Sequence, residues 1–395
     1  MSRPKPWVFV APAAFMMAWG GNHFTPLLHL YEQVGHYAPW QANLLLGTYV
    51  FGLIPGLLVA ASLSDQHGRR PVMLAGLVAS AVGNLLLAVG LHSFLVLCLG
   101  RALAGVGVGV AMSVGSSWMK ELSSPPFEHD AGVGAGARRP SLTLTVGFTL
   151  GALVTGVLAQ WAPDPTRLPF LVHLGLCVVS IAGVVRAPES LSTQRRASGA
   201  WWRDLRVPAA GHRTFTTVVV PAAPWVFGAA GVAYAIMPAI VSSELGQWNT
   251  LYATVLTVLT LGSGALVQPS VWRIERATSG RALLVGLGLM TVGMVLAVVA
   301  AVIASPTFAL AVAVILGVAY GITVVAGLTI VQRIAGPTDL AGLTGVYYAL
   351  AYAGFLLPTL LAALLPWVGY GASLAVVAVV CGGCWLLVSG PSTPQ

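Results

Sequence analysis

Twelve long apolar runs divide this chain, and they leave few ways for it to fold. They cover about residues 7–31, 40–62, 71–92, 95–119, 141–161, 168–186, 217–242, 248–271, 282–304, 307–331, 340–364 and 367–389. Each is long enough for the roughly 20 apolar residues that a membrane span needs. In lipid, every backbone N–H and C=O must be satisfied internally, so only helices or closed barrels can span. Barrel strands alternate in polarity, whereas these runs are continuously apolar. The expected fold is therefore an all-α integral membrane protein of twelve transmembrane helices. Charge agrees: 8% of the residues are charged, against roughly 25% in soluble chains, so there is too little charge to cover a water-facing surface. The many glycines and prolines inside the runs suit membrane bundles.

The basic residues give the orientation. With the N-terminus inside, the inner segments carry 17 of the 19 lysines and arginines, including Lys5, Arg69, Arg70, Lys120, Arg138, Arg139, Arg273, Arg276, Arg281 and Arg333. Arg167 alone falls in an outer loop, and Arg101 lies inside a span. This asymmetry places both termini in the cytoplasm of a plasma (inner) membrane. It also explains the net charge of +8 without nucleic acid. The first run continues past any suitable cleavage site and reads as an uncleaved span. The segment after the sixth run carries Arg195, Arg196, Arg203, Arg206 and Arg213, with Arg186 at its edge. It divides the chain into an N-terminal six-helix bundle (1–190), a cytoplasmic middle loop (191–216) and a C-terminal six-helix bundle (217–395). Pro6-Trp-Val-Phe9 and Pro224-Trp-Val-Phe227 occupy corresponding places in the halves. Repeated halves are the usual build of secondary transporters, with substrate bound near the midplane.

The sharpest local signal is Ala61-Ser-Leu-Ser-Asp65-Gln-His-Gly68-Arg69-Arg70-Pro71, between runs 2 and 3. Gly68 permits a tight turn, and Arg69 is a natural partner for Asp65. Deep in run 4, Arg101 begins Arg101-Ala-Leu-Ala-Gly105-Val-Gly107-Val-Gly109. Burying such a residue costs about 2.5–3.5 kcal/mol at a helix centre, which marks it as functional unless it snorkels outward. Gly105 and Gly109 also offer a packing face. Mid-run, Trp19-Gly-Gly-Asn22-His23 puts two polar groups between small residues, which predicts a locally loosened helix facing a cavity. His23 titrates in the right range for proton handling. Further cavity candidates are Tyr234, Gln268, Tyr320 and Tyr352. None of the eleven acids sits at mid-span; Glu32, at an outer end, is the nearest to a coupling acid. A cavity holding Arg101 and His23 but no deep acid favours neutral or anionic substrates. The four cysteines lie in apolar runs as packing residues, and no metal site is expected.

These residues resemble the major facilitator superfamily, in particular its twelve-helix drug:proton antiporters. The loop matches the family pattern G-x-L-x-D-x-x-G-R-R/K at Leu63, Asp65, Gly68, Arg69 and Arg70, with Ala61 in place of the leading glycine. The resemblance implies a cytoplasmic gate at Asp65, Gly68, Arg69 and Arg70, with Asp65 facing the start of helix eleven near Pro337-Thr-Asp-Leu340. Asp339, at that same end, acts against the clasp or as a cap. The family's R-x-x-x-G-x-G pattern on helix four implies a proton-coupling role for Arg101. Gly147-Phe-Thr-Leu-Gly151-Ala-Leu-Val-Thr-Gly156 is similar to the antiporter motif G-x-x-x-G-P-x-x-G-G, with Ala152 and Thr155 as departures. Gly147, Gly151 and Gly156 equally suit helix packing and conformational change.

The expectation is a monomeric secondary transporter in the lipid bilayer, exporting small apolar or amphiphilic molecules. No GxxxxGK[ST] loop is present, so a proton gradient rather than a nucleotide or other cofactor is the expected drive. An importer or uniporter of a small neutral or anionic metabolite is the alternative on the same fold. A non-transporting membrane sensor or scaffold is the alternative of another class, and an enzyme is not expected.

Overall fold

The computed structural model describes residues 5–132, 134–192, 207–336 and 340–390. Among these residues all regular structure is helical. Eleven helices are long and apolar enough to cross a membrane, so this is a multi-pass helical membrane protein. The remaining apolar run, the first, is a broken helix: α1 (Ala11–Asn22) stops, a single 3-10 turn (Thr25–Leu27) follows, and α2 (Leu28–Val34) resumes. Gly20 and Gly21 weaken the end of α1, and Pro26 has no N–H to carry the ladder onward.

By contact the chain groups into two units. The first takes residues 1–24 and 48–206, the second residues 25–47 and 207–395. The first holds α1, most of α3 (Pro39–His67), α4 (Arg69–Val89), α5 (Phe94–Leu122), α6 (Ala135–Trp161) and α7 (Leu168–Arg186). Its core gathers Val10, Met17, Met73, Leu77, Val114, Trp118, Met119 and Cys177. Helices α3 and α5 meet backbone to backbone. A Cβ on Gly105 would lie 2.0 Å from the Tyr49 carbonyl oxygen, and one on Gly109 would lie 2.5 Å from the Leu57 nitrogen. Small residues permit this approach, and dispersion across the tight seam holds helices together where lipid competes equally for apolar side chains. Helix α6 lies as closely on α1: a Cβ on Gly147 would meet the Phe15 carbonyl oxygen at 2.7 Å, and one on Gly151 the Trp19 carbonyl oxygen at 2.5 Å. Gly156 is buried on the same helix.

The second unit holds α2 and α8 (Phe215–Ile240), then a helical stretch Ser242–Ala277 whose regular part is α9 (Asn249–Val267). It continues through α10 (Ala282–Ile303), α11 (Pro306–Ile334), α12 (Gly342–Leu364) and α13 (Tyr370–Ser389). Its core runs through Ile236, Met237, Leu287, Met290, Leu316 and Leu374. Outward faces of both units stay apolar, as at Val179, Leu266 and Val379, each at least 70% exposed. Faces like these need lipid rather than water around them.

Candidate functional site

The loop after α3 is closed by a complete accounting of helix-end donors. Gly68 sits at φ 101°, a backbone conformation that disfavours other residues, and turns the chain from α3 into α4. The first four N–H groups of a helix have no partner within it. Here the Gly68 N–H donates to the Ser64 carbonyl at 2.9 Å. The Arg69 and Arg70 N–H groups donate to the two oxygens of Glu189 at 3.0 and 2.9 Å. Pro71 has no N–H to satisfy. A carboxylate at a helix N-terminus also complements the helix dipole. The Arg69 side chain pairs with Asp65 at 2.5 Å, as the spacing predicts, and forks onto Glu121 at 2.8 and 3.2 Å. The Arg70 guanidinium donates to the Ala187 carbonyl. The loop is thus tied to the ends of α5 and α7 within its own unit. Glu121 and Glu189 were not among the sequence candidates. Pro337 to Asp339, where the resemblance sets the partner of Asp65, lie outside the described residues.

A second latch holds the start of α6. Arg139 forks onto Glu128 at 2.6 and 3.0 Å, Lys5 reaches the same carboxylate at 2.6 Å, and the Arg139 guanidinium lies 4.6 Å from the Trp7 ring centre. Arg139, then Lys5, holds the Glu128 carboxyl down at about 2.

The interior of the first unit contains a polar cluster at the break in the first helix. Arg101 is fully buried, so it does not snorkel. Its guanidinium lies 4.9 Å from the Phe24 ring centre and 5.0 Å from that of Tyr49, with one nitrogen 3.5 Å from the Gly20 carbonyl. Aromatic faces stabilise a cation electrostatically. His23, also fully buried, meets the edges of Phe170 and His173 at ring separations of 5.0 and 5.1 Å. Trp19 stacks on His173 at 5.7 Å, and His173 Nε2 lies 2.7 Å from the Met16 carbonyl. The glycine pair makes room for this. A Cβ on Gly20 would lie 3.3 Å from the His173 ring, and one on Gly21 would lie 2.6 Å from Phe148. Asn22, at 8% exposure, ends α1 beside them. Both His23 nitrogens and Trp19 Nε1 find no hydrogen-bond partner among the described residues. Sequence reading singled out Arg101, His23, Asn22 and Trp19 but missed His173, whose only signal was one imidazole in the apolar stretch Leu168–Arg186.

In the second unit, Tyr234, Tyr320 and Tyr352 belong to one aromatic cluster. Phe227 stacks on Tyr352 at 4.1 Å and on Phe355 at 4.9 Å, and also approaches Tyr320 at 5.7 Å; Tyr234 lies 6.3 Å from Phe355. Gln268 opens a 3-10 turn at the end of α9. Glu32 lies on α2, 3.3 Å from His29. Among the described residues no three histidines, cysteines or acids gather as metal ligands. A shallow apolar groove of about 400 Å³ lies on the outward face, between Val8, Ala11, Pro12 and Phe15 at the start of the chain's first helical stretch and Leu142, Thr143 and Val146 on α6; Val8, Leu142 and Val146 are exposed.

Broken and glycine-seamed membrane helices around a buried guanidinium define a polytopic protein with an ionisable interior, and comparison places it more closely. The profile of the Major Facilitator Superfamily matches residues 10–237, more than half the chain, and the protein belongs to that family. The membership also sets it apart from enzymes. The high glucose sensor RGT2 of Saccharomyces cerevisiae is 24% identical over 192 residues, 46% of this chain and 24% of RGT2. The multidrug transporter MdfA of Yersinia pestis (bv. Antiqua, strain Angola) is 33% identical over 156 residues, 38% of this chain and 36% of MdfA. The chain thus spans well under half the length of either relative. A crystal structure of a POT family transporter in complex with a thioalcohol-conjugated peptide shares the fold, with a TM-score of 0.74 at 13% identity, covering 98% of this chain and 95% of that one.

Proposed function

We propose that this protein is a secondary active transporter that exports small apolar or amphiphilic compounds in exchange for protons, by alternating access. The observation that carries this reading is the fully buried Arg101–His23 cluster at the broken first helix. An ionisable group inside a membrane bundle is costly and is kept where it handles charge or substrate. The resemblance to a protein named a multidrug transporter supports an apolar cargo. In this reading the two six-helix bundles, 1–190 and 217–395, lie in a plasma membrane with both termini cytoplasmic. Asp65, Gly68, Arg69 and Arg70 form the cytoplasmic gate. Tyr234, Tyr320 and Tyr352 line the cavity, and the glycine seams let helices slide during the cycle.

The test is reconstitution into liposomes with an imposed pH gradient. A neutral naphthylamine dye and a dicationic viologen are offered in turn while internal pH is followed. The neutral dye is expected to move with counter-movement of protons. Faster movement of the dication would sink the substrate class, and dye movement without protons would sink the coupling. A non-transporting sensor is the second reading, favoured by the likeness to a protein named a glucose sensor. It predicts no movement of either dye.

A further inference from the structure

Among the described residues only four histidine, acidic or basic side chains are buried: His23, Arg101, Glu128 and His173. Glu128 lies in the connection before α6, occupied by Arg139 and Lys5. Arg101 stays protonated under all ordinary conditions. That leaves two imidazoles as the groups in the membrane interior able to gain and lose a proton, and they are 150 positions apart in the chain. The fold brings their rings to 5.1 Å at an interplanar angle of 87°.

We propose that His23 and His173 form one paired imidazole site that takes up a single proton. This rests on the proton-coupled reading above and names the groups that would carry it. His173 Nε2 faces the Met16 carbonyl at 2.7 Å, so that nitrogen bears the hydrogen and Nδ1 holds the lone pair. His23 has two ring nitrogens with no partner among the described residues, and one of them holds a lone pair. Uptake is a simple transfer: a hydronium ion gives its proton to an imidazole lone pair and leaves as water, the pair passes from neutral to singly positive, and release reverses both steps. Two protons are not accommodated. The Arg101 guanidinium already supplies one positive charge, and two imidazoliums beside it would add two more in a poorly solvated interior.

The surroundings contain nothing that replaces the pair. From α5 comes Arg101, from α3 Tyr49, and from α7 Cys177, whose Sγ is 3.7 Å from His173 Nε2. From α4 come Ser80 and Asn84, and from α6 Phe148, none of which titrates in this range. The glycines at positions 20 and 21 let the His173 and Phe148 rings close on the α1 backbone.

The test uses the full chain in phospholipid nanodiscs with 15N-labelled histidine, titrated by NMR from pH 8 to pH 4. The proton is the probe, so no substrate is needed. Wild type is expected to take up one proton across the two rings together. His23→Gln and His173→Gln each identify the remaining ring and are expected to change its proton affinity about tenfold or more. Independent titration of two full protons, unchanged midpoints in the single variants, or no titration of either ring overturns the proposal. Should a variant fail to fold, the wild-type proton count decides alone. Dye transport in wild-type liposomes separates the two readings. Coupled rings without proton movement leave the pair standing and remove proton-coupled transport. Proton movement with independent rings removes the pair and leaves transport standing.

Discussion

Removing the Glu189 carboxylate is the most direct perturbation of the loop between α3 and α4. Its two oxygens accept from the Arg69 and Arg70 N–H groups at 3.0 and 2.9 Å. Among the described residues no other acceptor meets these two donors; the neighbouring Gly68 N–H is bonded to the Ser64 carbonyl and Pro71 has no N–H. Losing a helix cap costs about 0.5–2 kcal/mol, and hydrogen bonds to a charged acceptor are worth about 1.5–3 kcal/mol. Water can reach the freed donors in part, so Glu189→Ala should cost about 2 kcal/mol. That corresponds to roughly a 30-fold rise in local opening. Glu189→Gln keeps an acceptor but loses the charge that opposes the helix dipole, and should cost about 1 kcal/mol, or roughly fivefold. Hydrogen exchange read by mass spectrometry on the peptide covering residues 66–75 measures both. Protection should fall in the order wild type, Gln, Ala, while the middle of α4 is unchanged. Less than a twofold change in the Ala variant, or an equal loss throughout the first unit, would refute the capping argument.

Asp65→Asn should leave the fold intact, because Arg69 keeps its fork on Glu121 and the lost pair is half exposed and worth under about 1 kcal/mol. Gradient-driven flux should nevertheless vanish with the protein still inserted, and unchanged flux rules out a gate role. Gly105→Ala should sharply lower the yield of folded protein, since its Cβ would sit 2.0 Å from a carbonyl oxygen. Overpacking costs about 1–3 kcal/mol or more, and backbone on both sides leaves little to relax. Gly175→Ala, with nothing within 4 Å, should fold normally in the same size-exclusion assay. The Glu128 carboxyl is held at about 2 against an ordinary value of 4.5. A depressed acid contributes stability above its unfolded pKa and loses it as pH falls toward the folded one. The difference in melting temperature between wild type and Glu128→Gln should therefore be constant above about pH 5 and shrink toward pH 2. A difference that grows on acidification would contradict the latch.

Residues acting through their own helix were the legible ones. The apolar runs announced the spans because length and hydropathy are local quantities. Gly20, Gly21 and Asn22 announced the break because helix weakness is local too. Arg101 stood out because a charge inside an apolar run is costly wherever its neighbours come from. Partners brought by the fold were not legible. Glu189 follows a different span from the loop it caps and reads there as an ordinary polar residue. His173 is one imidazole in an apolar stretch, and only the packing of α7 against α1 gives it His23 as a neighbour.

The distance along the chain between Glu189 and the helix it caps sets an order of events during synthesis. Arg69 precedes its acceptor by 120 positions. At roughly 5–20 residues per second, the start of α4 is synthesised about 6–24 s before the carboxylate that satisfies it exists. Through that interval four further spans are made while the loop's first-turn donors are held by water or by lipid headgroups. The turn between the second and third apolar runs is therefore finished only when the sixth has arrived, and a nascent chain halted before position 189 carries it unlatched.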